Sequence, residues 1–340
     1  MENQTALKER FESYKLQNPS SRIREAAKQL GVSEAELVSI GSDNILLLPE
    51  FSSILNDIPE LGEVMALTRN NHAVHERKGI YTKASFHGQI GLVTNPDIDL
   101  RLFMTAWTYV FAVHENNRKS IQFFDRFGEA IHKIYLTENS NANAFERLVA
   151  KYILNDPPTV QIEVKPFQAS IEKLDEDIDV NGFQNEWKSL QDTHDFFGIL
   201  KKHEVSRLQS MRLAPKGFTY NIPVGQVESL LNLVSSSGIE FMVFAGNKSC
   251  LQIHTGKAEK IVRTGPWINI LDDKFNLHLN DSEIGSLWIV KKPTNLGLVH
   301  SIEAFDREGN LIIQFFGKRK PSIPESEDWR KIVKSIENQI

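Results

Sequence analysis

Apolar and polar positions alternate along the chain in two kinds of pattern, one typical of helices and the other of strands. Residues 5–40 have helical spacing, with Gly31 ending one helix and Ser33-x-x-Glu36 forming a capping box that begins the next. Residues 62–137 contain seven short apolar segments bounded by Gly, Asn, Asp or Pro, which predicts strands. These segments are VMALTR, HAVHE, QIGLVT, IDLRLF, WTYVFAVHE, KSIQFFD and AIHKIYL.

The order of helices and strands occurs twice. A helix at 142–154 closes the first series, then helices fill about 184–237, strands run from 239 to 317, and EDWRKIVKSIENQI forms a last helix. SIQFFDRFGEAIHKIYL (120–136) aligns with SIEAFDREGNLIIQFFG (301–317), with seven of seventeen positions identical. A match of this quality between segments in the same order indicates an internal duplication.

The duplication predicts an α+β fold of two halves, each a large antiparallel sheet with flanking helices. Residues 155–183 contain three prolines and an acidic run, which is typical of a linker. We therefore predict an N-terminal half at 1–160, a linker at 161–183 and a C-terminal half at 184–340. A ligand cleft between duplicated halves is a common arrangement.

Composition narrows the class of protein. The chain has 340 residues, 41% of them hydrophobic, and a formal net charge of −5, so a globally basic nucleic-acid binder is not expected. A single cysteine, Cys250, excludes an internal disulfide and a Cys-rich metal site, as suits a reducing compartment. The N-terminal residues have no apolar signal segment, and no apolar run is long enough to span a membrane. A cytoplasmic protein is expected.

The common signatures of phosphate, dinucleotide, acyl-transfer and zinc chemistry are missing from the sequence. There is no G-x-G-x-x-G, P-loop, G-x-S-x-G, H-E-x-x-H or C-x-x-C. His72 and His75 are close in sequence, but a spacing of three puts them on opposite faces of a strand, so a shared metal is not expected.

One histidine lies within an apolar pattern, in WKSLQDTHDFFGILK at 187–201. If this segment is one helix, Trp187, Leu190, His194 and Phe197 lie on one face. The pattern therefore predicts a titratable imidazole in a stripe that otherwise packs against the core.

Two interpretations of His194 follow from the sequence. It is either a core histidine hydrogen-bonded to Asp192 or Asp195, or an imidazole that projects into an apolar cleft to ligate a metal. Gly198 removes bulk one turn further on, and the adjacent phenylalanines supply flat apolar surface. A single histidine suffices where the metal brings its other ligands, as haem does with four porphyrin nitrogens.

Haem also carries two propionates, which need cations at the mouth of a cleft. The candidates are Arg207, Arg212, Lys291, Lys292, Lys318, Arg319 and Lys320. Each cluster by itself is more typical of a solvated strand end.

Arg101 is a further candidate, in DIDLRLF. Period-two alternation places it on the polar face of a strand with Asp99 and Phe103, opposite apolar neighbours. It either pairs with Asp99 or serves a ligand. The repeat has Asn276 at the aligned position, so the two halves have diverged here.

Long stretches of the chain resemble the bacterial cytoplasmic haem-utilisation family that includes HemS, HmuS, ChuS and PhuS. The segments TRNNHAVHERKGIY, DLRLF, SIQFFDRFGEAIHKIYLTE, HDFFGILKKHEVSR, MVFAGNKSCLQIHTG and WIVKKPT carry the resemblance, with GLVHSIEAFDREG and QFFGKR, in the same order over nearly the whole chain. The family fold is two similar halves with haem in a cleft between them.

The resemblance implies a role for particular residues. His194 falls on the family's proximal haem ligand and Arg101 on its distal arginine, which would hydrogen-bond to water or dioxygen. Positions around the haem and its propionates fall on Arg207, Met242, Phe244, Lys292, Gln314, Phe316 and Arg319. Phe316 departs from the tyrosine of relatives, so a hydroxyl contact is lost there. His75 matches a histidine discussed as a second ligand.

Two functions remain open from the resemblance. The first is degradation of haem b to release iron, with electrons from a partner reductase or small reductant, since no flavin or nicotinamide fingerprint is visible in the sequence. The second is a non-catalytic carrier that receives haem from an importer and passes it to a separate oxygenase.

A DNA-binding reading comes from REAAKQLGVSEAELVSI, which has the shape of a helix-turn-helix. Glu34 and Glu36 at the start of its second helix would repel a duplex, so we predict a helical hairpin packed on the first sheet instead.

Overall fold

The computed structural model describes residues 4–115, 117–156, 158–165, 172–319 and 323–339. Two compact units are present. The first unit contains the described residues of 1–68, 76–167 and 247–252, and the second contains those of 69–75, 168–246 and 253–340. The predicted linker at 161–183 has residues 166–171 outside the described part of the chain, and the predicted boundaries stay a prediction. The candidate cation Lys320 also lies outside the described residues.

The helices of the first unit are α1 (Gln4–Gln17), α2 (Ile23–Leu30), α3 (Glu34–Ser39), α4 (Phe51–Asp57) and α5 (Ala142–Tyr152). Its strands are β1 (Ile45–Leu46), β2 (Gly62–Arg69), β4 (Ser85–His87), β5 (Ile90–Thr94), β6 (Asp99–Phe103), β7 (Trp107–Glu115), β8 (Arg118–Asp125) and β9 (Ala130–Ser140), with β3 (Ala73–Ile80) having residues in both units. Five of these strands pair antiparallel in the order β1-β7-β8-β9-β2, and β4-β5-β6 form a second antiparallel ladder.

The helices of the second unit are α6 (Val180–Lys188), α7 (Phe196–His203), α8 (Arg207–Leu213), α9 (Gln226–Ser237) and α10 (Glu327–Glu337). Its strands are β10 (Thr219–Ile222), β11 (Phe241–Gly246), β13 (Ile261–Thr264), β14 (Trp267–Leu271), β15 (Phe275–Asn280), β16 (Ile284–Thr294), β17 (Gly297–Asp306) and β18 (Leu311–Gly317), with β12 (Cys250–Gly256) having residues in both units. The pairing order β10-β16-β17-β18-β11, with β13-β14-β15 as a second ladder, repeats that of the first unit. The predicted α+β fold and its duplication are confirmed.

The duplication is visible in single side chains. The Asn70 Oδ1 accepts the backbone N–H groups of His72 and Ala73, and its Nδ2 donates to the carbonyl of Ile312 at 2.8 Å. Asn247 caps its own turn in the same way, and its Nδ2 donates to the carbonyl of Ile131 at 2.9 Å. Ile131 and Ile312 are equivalent in the sequence alignment of the repeats, so each half supplies a short asparagine-capped segment to the unit of the other half.

The predicted helical hairpin near the N-terminus is confirmed. Gly31 ends α2 in the left-handed region at φ 69°, and the Ser33–Glu36 capping box begins α3. The buried Glu34 forms an ion pair with Lys133 of β9, and the apolar side of α3 packs on β7 and β8. Glu34, one of the two carboxylates that argued against DNA binding, is therefore a buried ion-pair partner within the first unit.

The sheet β10-β16-β17-β18-β11 has helices on both faces. Alternate residues on one face, among them Ile289, Ile302 and Phe315, pack against α9 and α10. Val290 and Phe305 lie in a separate cluster with α6, α7 and α8. This second face carries the candidate site.

The prediction of one continuous helix over 187–201 is wrong. α6 ends at Lys188, a 3₁₀ turn spans Thr193–Asp195, and α7 begins at Phe196. The reason is local: the Asp192 side chain accepts the backbone N–H of His194 and so begins a new element there. Trp187 and Leu190 are buried as predicted.

None of the described helices is both long enough and apolar enough to cross a bilayer.

Candidate functional site

His194 lies on the surface of the second unit and not in its core, with 83% of its side chain exposed. Its Nδ1 is 2.6 Å from Oδ1 of Asp192, whose pKa is lowered first by the hydrogen bond from the His194 backbone N–H. Because a carboxylate accepts, this pairing holds the imidazole proton on Nδ1 and directs the Nε2 lone pair outward. The hydrogen bond to Asp192 that the core interpretation predicts is present, but the burial that it predicts is wrong.

The turn that carries His194 is anchored to the neighbouring strands. The guanidinium of Arg319 donates to the Thr193 hydroxyl at 2.6 Å, and the N–H of Asn295 donates to the carbonyl of Gln191 at 3.1 Å. One predicted site residue thus positions the turn of another. The exposed imidazole is consequently held in place although its ring faces solvent.

The adjacent side chains divide between core and surface. Phe196 is buried and packs its ring on Trp187 at 4.5 Å between centroids, whereas Phe197 is 72% exposed. A Cβ atom added to Gly198 would have no other atom within 4 Å, so this glycine borders open space. The exposed imidazole of His194, the exposed ring of Phe197 and the open space at Gly198 are thus all on the surface of this segment.

Two of the predicted cations meet at one carboxylate that was not among the predicted site residues. Glu303 of β17 has a fully buried side chain and accepts two hydrogen bonds from Arg207, at 2.9 and 3.0 Å. It also accepts one from Lys292 at 2.9 Å and one from the Ser301 hydroxyl at 2.9 Å. We call Arg207, Lys292 and Glu303 the cation cluster.

The cation cluster carries more positive than negative charge. Both cations lie over the Phe196 ring, Lys292 Nζ at 4.8 Å and the Arg207 guanidinium carbon at 5.5 Å from its centroid. Burial lowers the pKa of Lys292 to about 8, against the opposing pull of Glu303. Burial acts to raise the pKa of Glu303, but the two cations hold it well below its ordinary value. A second carboxylate would balance the cluster.

Lys292 is therefore not a solvated strand end. Its side chain is 4% exposed, because β16 places it on the sheet face that α6, α7 and α8 cover. The sequence contained one signal for its partner: Glu303 interrupts an otherwise apolar strand in SIEAFD. A carboxylate at a buried strand position requires cations nearby.

The predicted apolar wall lies on the same face. Phe244 is paired with Gln314 across β11 and β18, and Gln314 is paired in turn with Glu303 of β17. Met242 is paired with Phe316, and the Phe244 and Phe316 rings lie 4.8 Å apart. Met242, Phe244 and Phe316 are each partly exposed. They form an apolar strip next to the strand positions of Gln314 and Glu303.

Arg101 belongs to the first unit. The alternation predicted for β6 is confirmed, since Leu100 and Leu102 are fully buried and the Arg101 side chain is 32% exposed. Its guanidinium pairs with Asp99, as the simpler interpretation predicts, and also donates to the Leu100 carbonyl at 3.2 Å. Burial raises the pKa of Asp99, although Arg101 opposes that shift.

His75 is fully buried in the second unit, with its ring 5.0 Å from that of Phe275. Its environment is therefore that of a packed side chain, unlike that of His194.

The residues of the second unit suit a flat ligand that brings its own metal and carries carboxylates. Among the described residues, no group of three His, Cys, Asp or Glu side chains could hold a bare metal ion. One outward Nε2, an apolar strip and surplus positive charge match, respectively, the iron, the ring and the propionates of haem.

Comparison with known proteins also indicates a relationship to haem proteins. The family model described as the haemin-degrading HemS/ChuX domain matches twice, at residues 31–152 and 204–336. The hemin transport protein HmuS of Yersinia pestis is 35% identical over 341 residues, which covers 98% of each protein.

Solved structures are also similar over nearly the full length. Holo-PhuS, a haem-binding protein from Pseudomonas aeruginosa, superposes with a TM-score of 0.96 at 41% identity, covering 98% of this chain and 99% of that chain. ChuS, an Escherichia coli haem oxygenase, superposes with a TM-score of 0.84 at 34% identity over 92% of this chain and 95% of its own.

The two family matches coincide with the two repeats that the strand orders reveal, and the relatives align over both. The chain belongs to the haemin-degrading HemS/ChuX family.

Proposed function

We propose that this protein binds haem b on the second unit with His194 Nε2 as the axial ligand of the iron. The observation that carries the proposal is the outward imidazole fixed through Nδ1 by Asp192. A hydrogen bond from the other ring nitrogen to a carboxylate orients a metal-ligating histidine and raises its basicity. Because the turn and its hydrogen bonds already fix the His194 imidazole, it would lose little conformational entropy on binding iron.

The cation cluster and Arg319 hold the propionates in this proposal. Glu303 prepares Lys292 and Arg207 by fixing their positions, and the surplus positive charge is balanced when a carboxylate arrives. Met242, Phe244, Gln314 and Phe316 form the wall against which the ring lies. The phenyl side chain of Phe316 contributes apolar contact and no hydrogen bond.

We further propose that the protein degrades haem, with electrons from an external donor, and so releases iron. Bound haem supplies the iron that activates dioxygen and is itself the molecule that is cleaved. By the family resemblance, Arg101 would donate a hydrogen bond to the reacting oxygen; its guanidinium lies on the polar face of β6, where it is 32% exposed and pairs with Asp99. A separate reductase or small reductant provides electrons, and an importer provides haem in the cytoplasm.

The second candidate is a carrier that binds haem without turning it over. It is supported by the name of the Yersinia relative, a hemin transport protein, whereas the E. coli relative supports degradation. The same ligand and cations serve both functions, since ligation does not oblige haem to react.

Turnover distinguishes the two candidates. We expect the haem complex, given oxygen and ascorbate or NADPH with a reductase, to lose its Soret band and yield an open-chain tetrapyrrole. Replacing Arg101 by Leu should slow this loss about 100-fold with haem affinity retained, because one hydrogen-bond donor to the reacting oxygen is removed. Arg118→Leu, an exposed arginine of β8, is the matched control. A wild-type Soret band that persists would establish the carrier.

The affinity for haem should depend on pH through Lys292. Its pKa of about 8 in the free protein rises when a propionate approaches, so binding takes up a proton at higher pH. The dissociation constant should therefore increase above about pH 8, by up to about tenfold per pH unit. Soret titrations at pH 7, 8 and 9 measure it. Lys292→Met should remove this part of the slope, and an identical slope in both proteins would contradict the assignment.

A further inference from the structure

A cavity of about 340 Å³ lies in the second unit, between the strand pair β16–β17 and the helix α10. Its lining includes Lys291, His300, Arg330, Val333, Lys334 and Glu337. Lys291 and Lys292 are adjacent on β16 and so point to opposite faces of the sheet. The cavity is therefore on the face away from the cation cluster, and the proposed function makes no use of it.

The sequence builds the cavity from two regular spacings. Arg330, Val333, Lys334 and Glu337 are spaced i, i+3, i+4 and i+7, which puts them on one stripe of α10. Lys291 and His300 are directly paired across β16 and β17. The strand pair β16–β17 and this stripe of α10 thus both place basic side chains in the lining of the cavity.

A buried carboxylate fixes two of these basic groups. The Glu325 side chain has no exposed surface and accepts the backbone N–H of His300 at 2.7 Å. Its other oxygen lies 2.7 Å from His300 Nδ1 and 3.3 Å from Arg330 Nε. The imidazole and guanidinium are held before any ligand arrives, which lowers the entropy cost of binding one.

The charges around the cavity favour an anion. Glu337 neutralises Lys291 through two 2.9 Å hydrogen bonds, and Glu325 is shared by Arg330 and His300. Among the ion pairs of the described residues, Lys334 takes part in none. Three permanent cations thus face two carboxylates, in a protein whose formal net charge is −5. An overall acidic chain that concentrates cations at one cavity indicates a local anion site.

We propose that this cavity binds the phosphate group of a small phosphate monoester. Arg330 and Lys334 of α10 and Lys291 of β16 offer donors from three side chains on two elements, which suits a tetrahedral oxyanion better than a planar carboxylate. The volume lies at the low end of the ~300–1,000 Å³ range of small-molecule sites, so it holds more than a bare ion. With Val333 as its apolar side chain, the ligand is a polar metabolite.

Isothermal titration of the full-length protein with glycerol 3-phosphate, at constant ionic strength in chloride, tests the proposal. Saturable binding is expected, weakened about tenfold by Lys334→Met because one charge-assisted hydrogen bond is lost. Lys331→Met is the matched control, since Lys331 is an exposed lysine of the same helix paired with Asp328 outside the cavity. It should bind as the wild type does.

Three results would overturn the proposal. They are the absence of saturable binding, an equal loss in the Lys334 and Lys331 variants, and inorganic phosphate binding as tightly as the monoester. Glycerol, which lacks the phosphate, should not bind. The thermal unfolding curve of each variant is measured to confirm that it folds. Arg330→Lys is a second variant that should weaken binding, because it keeps the charge but loses the planar donor set of the guanidinium.

Discussion

Haemin titrated into the wild-type protein is expected to give a shifted, saturable Soret band, and His194→Ala is expected to lose that spectrum. The substitution removes the proposed axial nitrogen, while the ring keeps its apolar strip and its cations. We expect the affinity to fall about 100-fold or more, by analogy with the 10–100-fold that even supporting residues of metal sites contribute. Absorbance titration and the ligand-field bands of the ferric complex measure both effects.

The exposure of His194 makes this a clean test. With 83% of its side chain in solvent, its removal opens no cavity in the core, so the free energy of unfolding should stay nearly unchanged. The matched control is His87→Ala, an exposed histidine on β4 of the first unit. If the two variants titrate alike, His194 is not the ligand, and a wild-type protein without a Soret shift would end the haem proposal altogether.

Replacing Glu303 by Gln should produce the second large effect, on stability. The buried carboxylate is the counter-charge of both Arg207 and Lys292, and an amide leaves them unbalanced in a desolvated site. Removing one partner of a buried ion pair typically costs about 3–5 kcal/mol. Chemical denaturation at pH 7 measures the loss, and Glu146→Gln, which breaks an exposed pair with Lys119, should change the midpoint little.

Two further measurements separate charge balance from simple packing loss. The double variant Glu303→Gln with Lys292→Met removes one of the orphaned cations and should recover part of the stability. The pKa of Glu303 is depressed in the folded protein, so its contribution is present above its ordinary value and is lost as pH falls. Wild type and Glu303→Gln should therefore converge in acid. A constant difference at all pH values would contradict the role of charge.

Local patterns in the sequence were sufficient for most of the elements and for their duplication, although they missed the strand β10 and the break between α6 and α7. Period-two alternation placed Arg101 on the polar face of β6, and the capping box located the start of α3, since both depend on neighbours within a few residues. The aligned repeats predicted two halves of the same type, and the repeated strand order confirms it.

The candidate site was only partly predictable. The resemblance selected His194, Arg207 and Lys292, but periodicity placed His194 in a buried helix stripe. Spacing could not reveal that Asp192 would cap a new turn and turn the imidazole outward, because a cap competes with helix continuation by a local hydrogen bond. Nor did it reveal Glu303, since its partners are 96 and 11 residues away along the chain.

The sequence by itself determined where most strands and helices form, that they form twice, and which residue types are available for binding. Tertiary structure alone decided which of them meet. Lys291 and Lys292 are indistinguishable as letters, yet the pleat of β16 sends one to a cavity beside α10 and the other to a buried carboxylate. Periodicity assigns a face to a residue, but the chemistry of that face depends on what the chain folds against it.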